Sequence, residues 1–212
     1  MSRFEETDAT LTYYETNADR IAAGYETVDL SATLERIVRR LPAAARILEL
    51  GAGSGRDAAF LLERGFEVTA LDGSEAMVER AASLHPELAG RIFVHRLPAP
   101  LPFADAAFDA VLSLATLMHL PVAAVTEVLG GCRSVLRPGG RLALSVPTER
   151  PGLDEAGRDE RGRHFTVMNA RAWRRLIREA GLTPVADWSS ADAAGRDGIR
   201  WWTAVCEREE SR

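Results

Sequence analysis

Two hydrophobic periods alternate along this chain. In residues 8–41, apolar positions recur at spacings of three and four, which favours helix over strand. Two helices are predicted there, the second ending at Pro42. Their apolar faces consist of Tyr13, Tyr14, Ala18, Ile21 and Ala22, and of Leu30, Leu34, Ile37, Val38 and Leu41.

From residue 46 the pattern changes to short apolar runs separated by helix-period segments. Strands are predicted at residues 46–50, 66–72, 91–95, 108–114 and 141–146. Helices are predicted from Arg56, after Ser74 as N-cap, and over residues 122–136. Strands that alternate with helices in this way favour a parallel sheet covered on both faces.

The last third of the chain begins with a different kind of segment. Residues 149–163 contain Pro151, three glycines and dense mixed charge, so they form either a solvated loop or a functional lid. Asn169 and Gly181 then mark the predicted start and stop of a helix with Trp173, Leu176 and Ile177 on its apolar face. Two further strands are predicted at residues 182–188 and 199–206.

Residues 46–72 carry the strongest chemical signal. Their order is strand, turn, helix, strand and acid, and the turn reads Gly51-Ala52-Gly53-Ser54-Gly55. Glycines allow a sharp bend with no Cβ between backbone and ligand, and the following helix directs unpaired N–H groups at a negative ligand group. Asp72 ends the second strand about 20 residues after the first glycine, where an acid can accept both hydroxyls of a ribose. A nucleoside-bearing cofactor is therefore predicted.

Arg56 distinguishes this turn from the dinucleotide-binding turn, which requires a third glycine at that position. The guanidinium of Arg56 can meet a carboxylate, so the acidic ligand group is predicted to be an amino-acid carboxylate rather than a pyrophosphate. The alternative is that Arg56 pairs with Asp57 or Glu63 at the surface.

Together with two later segments, the turn resembles the class I S-adenosylmethionine-dependent methyltransferases, in which an acid and three alternating glycines close the first strand. Residues 102–113 resemble the family's entry to the fourth strand, and residues 135–145 resemble its entry to the fifth. The likeness covers residues 46–146 almost continuously. It suggests the broad groups that include tellurite-resistance and quinone-biosynthesis methyltransferases.

The resemblance implies an α/β fold, with a Rossmann-like, doubly wound, mostly parallel seven-stranded sheet, helices on both faces and an antiparallel C-terminal strand pair. One domain over residues 1–212 is expected, because 46% hydrophobic content suffices for one substantial core. Its expected parts are an N-terminal helical lid at 1–41, a cofactor-binding core at 46–146, a charged loop and acceptor-pocket segment at 147–168, and a C-terminal helix with edge strands at 169–207.

The resemblance also implies S-adenosyl-L-methionine as cofactor and S-adenosyl-L-homocysteine as product. The sulfonium methyl is already activated, so transfer is expected mainly from proximity and orientation, which can contribute roughly 7–11 kcal/mol. Leu97 stands where relatives commonly carry an acid for the adenine amino group, so adenine recognition is expected to be more apolar or to use Asp105. The implied cofactor residues are Tyr14, Glu49, Gly51, Ala52, Gly53, Arg56, Asp72, Gly73, Met77, Leu97 and Leu114. For Met77, the alternative is a core position.

Candidates for the acceptor pocket follow the predicted fourth strand and the charged loop. Two roles fit His119, a general base or a residue that shapes the pocket by hydrogen bonding within its loop. Arg163 suits an anionic acceptor or anchors its own loop. Tyr13 and Tyr14 lie on the expected lid, where the alternative is that one ring attaches the helix to the core. The substrate-pocket candidates are Tyr13, His119, Arg163, His164 and Phe165.

Composition narrows the chemistry further. The formal charge is −5 without a basic block, so duplex nucleic acid is not an expected partner. All 26 basic residues are arginine, which excludes a lysine Schiff base and a P-loop lysine. Cys132 and Cys206 show no disulfide or metal spacing, so reduced, packed thiols and no metal site are expected.

The opening six residues contain no apolar signal core, and no run of about 18 apolar residues occurs that is long enough to span a membrane. A cytoplasmic protein without a membrane partner is predicted. Trp188, Trp201 and Trp202 are expected to pack at the sheet edge, with a dimer contact as the alternative, so both monomer and homodimer remain open.

Three functions follow from this pattern. The leading one is a methyltransferase that acts on a small-molecule acceptor. The second is an RNA base-modifying methyltransferase, because the arginine and aromatic residues near position 163 faintly resemble wobble-uridine methyltransferases; it predicts a contiguous arginine face near the carboxyl edge of the sheet. The third is a non-catalytic regulatory protein that binds S-adenosylmethionine.

Overall fold

A computed structural model of the chain describes residues 5–209. Residues 1–4 and 210–212 of the predicted domain, including most of the opening segment considered for a signal peptide, lie outside the described residues. The described helices are α1 (Glu5–Thr16), α2 (Ala18–Glu26), α3 (Ser31–Val38), α4 (Arg56–Glu63), α5 (Glu75–Leu84), α6 (Val122–Val135) and α7 (Ala170–Glu179). The described strands are β1 (Arg46–Leu50), β2 (Glu67–Asp72), β3 (Ile92–Val94), β4 (Phe108–Leu114), β5 (Leu136–Glu149), β6 (Leu182–Ala191) and β7 (Arg200–Arg208).

These strands form one sheet in the order β3-β2-β1-β4-β5-β7-β6. Strands β1 to β5 are mutually parallel, and β7 runs antiparallel to both β5 and β6. The predicted fold class, a Rossmann-like and mostly parallel seven-stranded sheet with an antiparallel C-terminal pair, is confirmed.

Successive strand residues pack against opposite helical layers. In the register of β1 and β4, Leu48 lies beside Val111, and both belong to a core that includes residues of α6 and α7. The preceding pair, Ile47 and Ala110, belongs to a second core formed with residues of α3, α4 and α5. Apart from Arg46, Glu49, Asp109 and Ser113, every position of β1 and β4 is apolar. Because side chains alternate across a strand, these apolar residues require helices on both faces.

The N-terminal region has three helices where the sequence pattern predicted two. The first predicted helix breaks at Asn17, whose backbone has φ −123° and ψ 17°. The Asn17 side-chain amide donates to the Tyr13 carbonyl at 2.9 Å, a local bond of the kind that competes with helix hydrogen bonding. The other predicted helix ends at Val38, before Pro42 is reached.

Strand β5 is also longer than predicted. The expected strand at residues 141–146 covers only its centre, since Leu136 already pairs with Phe108 and the strand continues to Glu149. The register shifts between Phe108 and Ala110, opposite the segment that contains Pro138. A proline has no N–H to donate to the ladder, so the irregularity is expected at this place.

Both predicted helix starts and the predicted stop are confirmed. Ser74 Oγ accepts a hydrogen bond from the Met77 N–H at 3.2 Å, and Asn169 Oδ1 accepts one from the Ala172 N–H at 3.0 Å. Gly181 follows α7 with φ +75°, the left-handed conformation that glycine adopts most easily.

Cys132 and Cys206 are buried free thiols, as predicted, and burial raises the pKa of each to about 12. Between residues 5 and 209, no helix has the length and apolar character that a membrane span requires.

Replacing Asn169 by Ala is expected to lower the free energy of unfolding by about 1 kcal/mol, because the Ala172 N–H loses its side-chain acceptor and keeps only the Asn169 carbonyl. Urea denaturation measures this loss. Asn169→Asp keeps a side-chain acceptor and serves as the control. An equal loss in both variants would contradict the capping role.

Candidate functional site

A cavity of about 530 Å³ lies at the carboxyl ends of β1, β2 and β4 and is covered by residues of α1 and α2. The strand order reverses at β1, with β2 on one side and β4 on the other. Loops that leave neighbouring strands in opposite directions open a crevice, the usual ligand position in open α/β sheets. The volume lies in the range of small-molecule sites, roughly 300–1,000 Å³.

The glycine turn after β1 forms one wall of the cavity. Gly51 and Gly53 have φ values of +73° and +57°, so the predicted sharp bend is present. A Cβ at Gly51 would overlap the Thr116 side chain, whereas a Cβ at Gly53 would approach the Tyr25 ring no closer than 3.4 Å. The space expected to be kept free for a ligand therefore exists at Gly53, while at Gly51 it is filled by protein.

Asp72 is held against this turn by backbone donors. Its Oδ2 accepts from the Gly53 N–H at 2.8 Å, and its Oδ1 accepts from the Ser74 N–H at 2.9 Å. Burial raises the pKa of Asp72 above its usual range, and the N–H groups of Ser74, Gly53 and Gly73 partly offset that rise. A carboxylate offers about four acceptor positions, so each oxygen retains capacity for a ligand hydroxyl.

Glu49 lies beneath the turn, buried near the end of β1. Its Oε2 has no hydrogen-bond partner. Burial raises the pKa of Glu49 well above its usual range, the charges of Asp57 and Asp72 raise it further, and Arg56 lowers it. A buried carboxyl without a partner is unfavourable, so this atom marks a place where a cationic or hydrogen-donating ligand group would be stabilised.

Arg56 joins α4 to the covering helices. Its Nε donates to Asp57 Oδ1 at 2.8 Å, and its Nη1 donates to the Tyr25 and Val28 carbonyls at 2.7 and 3.1 Å. The pairing with Asp57 is the alternative that the sequence left open. Arg56 nevertheless lines the cavity.

A directed chain of hydrogen bonds runs along the cavity wall from Tyr25, beside the glycine turn, to His119. Tyr25 donates to Tyr14 Oη at 3.2 Å, and Tyr14 Oη lies 3.0 Å from His119 Nε2. His119 Nδ1 lies 2.8 Å from the His164 carbonyl, which can only accept, so Nδ1 carries the proton and Nε2 accepts from Tyr14. Burial lowers the pKa of His119 to about 4, which keeps the ring neutral at pH 7.

The charged segment after β5 forms the remaining wall. Asp159 Oδ1 accepts from the N–H groups of Arg161 and Arg163, and its Oδ2 accepts from the Arg163 guanidinium at 2.6 Å. These bonds fold the segment into a tight turn, and the side chains of Arg150, Arg161 and Arg163 line the cavity. The segment thus contributes to a pocket wall rather than forming only a solvated loop.

Comparison with known proteins decides the family. A family profile described as a methyltransferase domain matches residues 22–187. The 27-O-demethylrifamycin SV methyltransferase of Amycolatopsis mediterranei is 33% identical over an alignment of 203 positions that covers 86% of this chain and 72% of that protein. The chain belongs to the methyltransferase-domain family. The predicted enzyme class, a class I S-adenosylmethionine-dependent methyltransferase, is confirmed.

One further relative and one solved structure are also similar to this methyltransferase. The demethylmenaquinone methyltransferase of Beutenbergia cavernae is 35% identical over 134 residues, covering 62% of this chain and 52% of that protein, so the chain spans about half of its length. The structure of a 1,6-didemethyltoxoflavin-N1-methyltransferase from Burkholderia thailandensis, solved with 1,6-didemethyltoxoflavin and S-adenosylhomocysteine, superposes with a TM-score of 0.83. The superposition covers 99% of this chain and 92% of the Burkholderia chain, at 23% sequence identity. This likeness shows a shared fold.

The structure brings most of the predicted site residues to one cavity. The structure shows their positions, and their roles toward cofactor and acceptor stay predictions. Those that line the cavity are Tyr13, Tyr14, Gly51, Ala52, Gly53, Arg56, Asp72, Gly73, Leu97, Leu114, His119, Arg163 and Phe165.

Four other predicted residues do not reach the cavity wall. Met77 is buried in a small core with Ala18, Ile21 and Ala22, which is the core position considered as its alternative. Glu49 lies below the turn, and His164 is buried behind His119 and meets it through its carbonyl. Asp105, considered for adenine, is exposed and hydrogen bonds to Ser134. Metal ligation has no candidate among the described residues, since no three of their His, Cys, Asp or Glu side chains are grouped suitably.

Several cavity residues were not among the predicted site residues. Tyr25 lies one helical turn after Ile21, a spacing that identifies it as part of the same helix face. Trp201 precedes the buried Trp202 on β7, and strand alternation alone would direct the two rings to opposite faces. His95, Arg150 and Arg196 lie in loops or at a strand end, where no periodic pattern indicates the direction of a side chain.

The buried neutral His119 is expected to make stability depend on pH. Because its folded pKa is lowered to about 4 from an ordinary value of 6.5, the unfolded chain binds more protons between these values. The stabilising contribution is complete above pH 6.5 and is lost as the pH falls to 4, at most about 3 kcal/mol. Denaturation of wild type and His119→Gln at several pH values should show a steeper decline for wild type.

His85→Gln is the control, because His85 lies beside Glu26 away from this hydrogen-bond chain. It should retain the wild-type decline. Parallel curves for wild type and His119→Gln would contradict a buried neutral His119.

Proposed function

We propose that this methyltransferase transfers a methyl group from S-adenosylmethionine to a small molecule held in the cavity beneath α1 and α2. The observation that carries the proposal is a single cavity wall that joins Asp72 and the glycine turn to Tyr14, His119 and Phe165. One end offers the acceptors that a ribose needs, and the other offers aromatic and titratable side chains.

The cofactor end fits a sulfonium nucleoside. Asp72 retains one acceptor position on each oxygen, which suits the two ribose hydroxyls. Leu97 lines the same cavity and supports apolar recognition of adenine, whereas Asp105 lies away from it. Gly53 leaves the backbone of the turn open to a ligand.

The amino-acid part of the cofactor has two proposed partners. Glu49 Oε2 is buried without a hydrogen-bond partner, and an ammonium group near the turn would compensate its charge. Arg56 lines the cavity, and its guanidinium suits the cofactor carboxylate, the role that the sequence predicted.

When bound, S-adenosylmethionine supplies an activated methyl group on its sulfonium. The chain's own task is then to orient the acceptor, exclude water and accept a proton if the accepting atom carries one. We propose that His119 accepts this proton through Tyr14. As the acceptor's proton moves to Tyr14 Oη, the Tyr14 proton moves to His119 Nε2, which lies 3.0 Å away.

The printed names of two relatives, a rifamycin and a menaquinone methyltransferase, support small-molecule acceptors. An RNA acceptor would need a contiguous exposed arginine face. The side chains of Arg161 and Arg196 are 46% and 50% exposed, but those of Arg150 and Arg163 are only 10% and 11% exposed, which favours a small molecule inside the cavity. A regulatory binding protein would bind the cofactor without releasing S-adenosylhomocysteine. Radiolabelled methyl transfer into fractionated metabolites and RNA separates these three functions.

Asp72→Ala is expected to weaken S-adenosylhomocysteine binding at least tenfold, because two charge-assisted hydrogen bonds to the ribose are lost. Calorimetric titration measures the affinity. Asp105→Ala is the matched control and should bind like wild type, because Asp105 lies outside the cavity. Unchanged affinity in folded Asp72→Ala would refute the ribose assignment.

A further inference from the structure

The acceptor end of the cavity carries an excess of positive charge. Four of its arginines, Arg150, Arg161, Arg163 and Arg196, come from the segments that follow β5 and β6. Two carboxylates lie within hydrogen-bond distance of them, Asp159 and Asp192. Arg161 donates to Tyr13 Oη at 3.1 Å, and the carboxylate it reaches is Glu160, at 3.7 Å on the exposed surface, where an ion pair contributes little.

The two most buried of these arginines share one carboxylate oxygen. Asp159 Oδ2 accepts from Arg163 Nη2 at 2.6 Å and from Arg150 Nη2 at 3.4 Å, while Asp159 Oδ1 is occupied by backbone N–H groups. One carboxylate therefore serves two guanidinium groups. Arg150 Nε is buried without a partner, so this cluster lacks an acceptor as well as a negative charge.

The pKa values of two side chains at this wall reflect the excess of positive charge. Burial lowers the pKa of Arg150, and the positive charges of Arg163 and Arg196 lower it further. Burial alone would raise the pKa of Tyr13, yet hydrogen bonds from Arg20 and Arg161 outweigh it and the pKa is lowered. A positive electrostatic field at this cavity wall explains both pKa shifts, because it disfavours the charged form of an arginine and favours the charged form of a tyrosine.

Aromatic rings hold the guanidinium groups in place. The Arg150 guanidinium carbon lies 3.8 Å from the centre of the Phe165 ring, and that of Arg163 lies 4.9 Å from the Tyr13 ring. Phe165 also packs against His119, with 4.7 Å between ring centres. The arginines are thus fixed next to the Tyr14 and His119 pair, with flat apolar surface beside them.

We propose that the acceptor of this methyltransferase is a small organic anion whose planar oxyanion, a carboxylate or a delocalised phenolate, binds Arg150 and Arg163. The inference rests on the proposed function, since it assigns the acceptor half of the same cavity. A planar oxyanion supplies the missing negative charge and the acceptor for the unpartnered donor. The guanidinium fork matches this geometry, and the rings accommodate a flat body.

The test uses fluorine NMR titrations of the full-length protein saturated with S-adenosylhomocysteine. The probes are para-fluorobenzoate, its neutral isostere para-fluorobenzamide, and pentafluorophenolate. Benzoate, the phenolate or both should bind at least about tenfold more tightly than the amide, and the stronger of the two identifies the oxyanion. Equal binding of all three probes would overturn the proposal.

Single substitutions test whether the anion binds at these arginines. Arg163→Gln and Arg150→Gln should each weaken anion binding about tenfold while leaving S-adenosylhomocysteine affinity unchanged. Arg175→Gln, on the outer face of α7 with 74% of its side chain exposed, is the control and should bind as wild type does. Arg163→Lys keeps the charge but loses the fork and should give an intermediate loss, which covers the case of a variant that does not fold.

Failure of the proposal is distinguishable from failure of the proposed function. Wild type that does not bind S-adenosylhomocysteine would contradict the function, whereas normal binding without anion preference would contradict only the acceptor class. Salt-sensitive binding of transfer RNA that is lost in both Arg161→Gln and Arg196→Gln would also overturn the small-anion proposal, because it would assign these arginines to a nucleic acid.

Discussion

The cavity depends on one carboxylate that two backbone N–H groups hold. Asp72 ends β2, yet its oxygens accept from Gly53 in the turn after β1 and from Ser74 at the start of α5. Three segments are thereby fixed around a single acceptor pair. The cost of burying the carboxylate appears in its raised pKa, and the N–H donors reduce that cost. A ligand hydroxyl would meet oxygens whose positions are already determined, so little ordering is required on binding.

A second set of contacts closes the cavity from the N-terminal side. Arg56 binds the carbonyls of Tyr25 and Val28, which attaches the end of α2 to the start of α4. Tyr25 then packs over Gly53 and donates to Tyr14, which in turn donates to His119. The glycine turn is connected through these residues to the loop after β4. Cofactor and acceptor ends of the cavity therefore share one hydrogen-bonded framework.

The cavity wall formed by the segment after β5 brings two positively charged side chains close together, which is unfavourable. Burying Arg150 and Arg163 beside a single carboxylate leaves like charges close to each other in a poorly solvated place. Stacking on Phe165 and Tyr13 stabilises the two guanidinium groups, and the tight turn around Asp159 fixes their origin. Perturbed titratable groups cluster at functional sites, so this wall is the proposed acceptor site.

The sequence alone determined the sheet, the glycine turn and Asp72, because alternating apolar runs, positive-φ glycines and an acid at a strand end are local signals. It could not separate α1 from α2, since the break at Asn17 depends on a side-chain bond rather than on apolar spacing. It left Met77 between a cofactor position and a core position, and packing of α2 against α5 buries that side chain in a core. Arg150, Trp201 and Arg196 line the same cavity as Arg163, although they belong to separate segments of the chain. Tertiary structure decided the acceptor wall because its residues are distant in sequence, and their mutual distances follow from loop conformation, which hydrophobic periodicity does not encode.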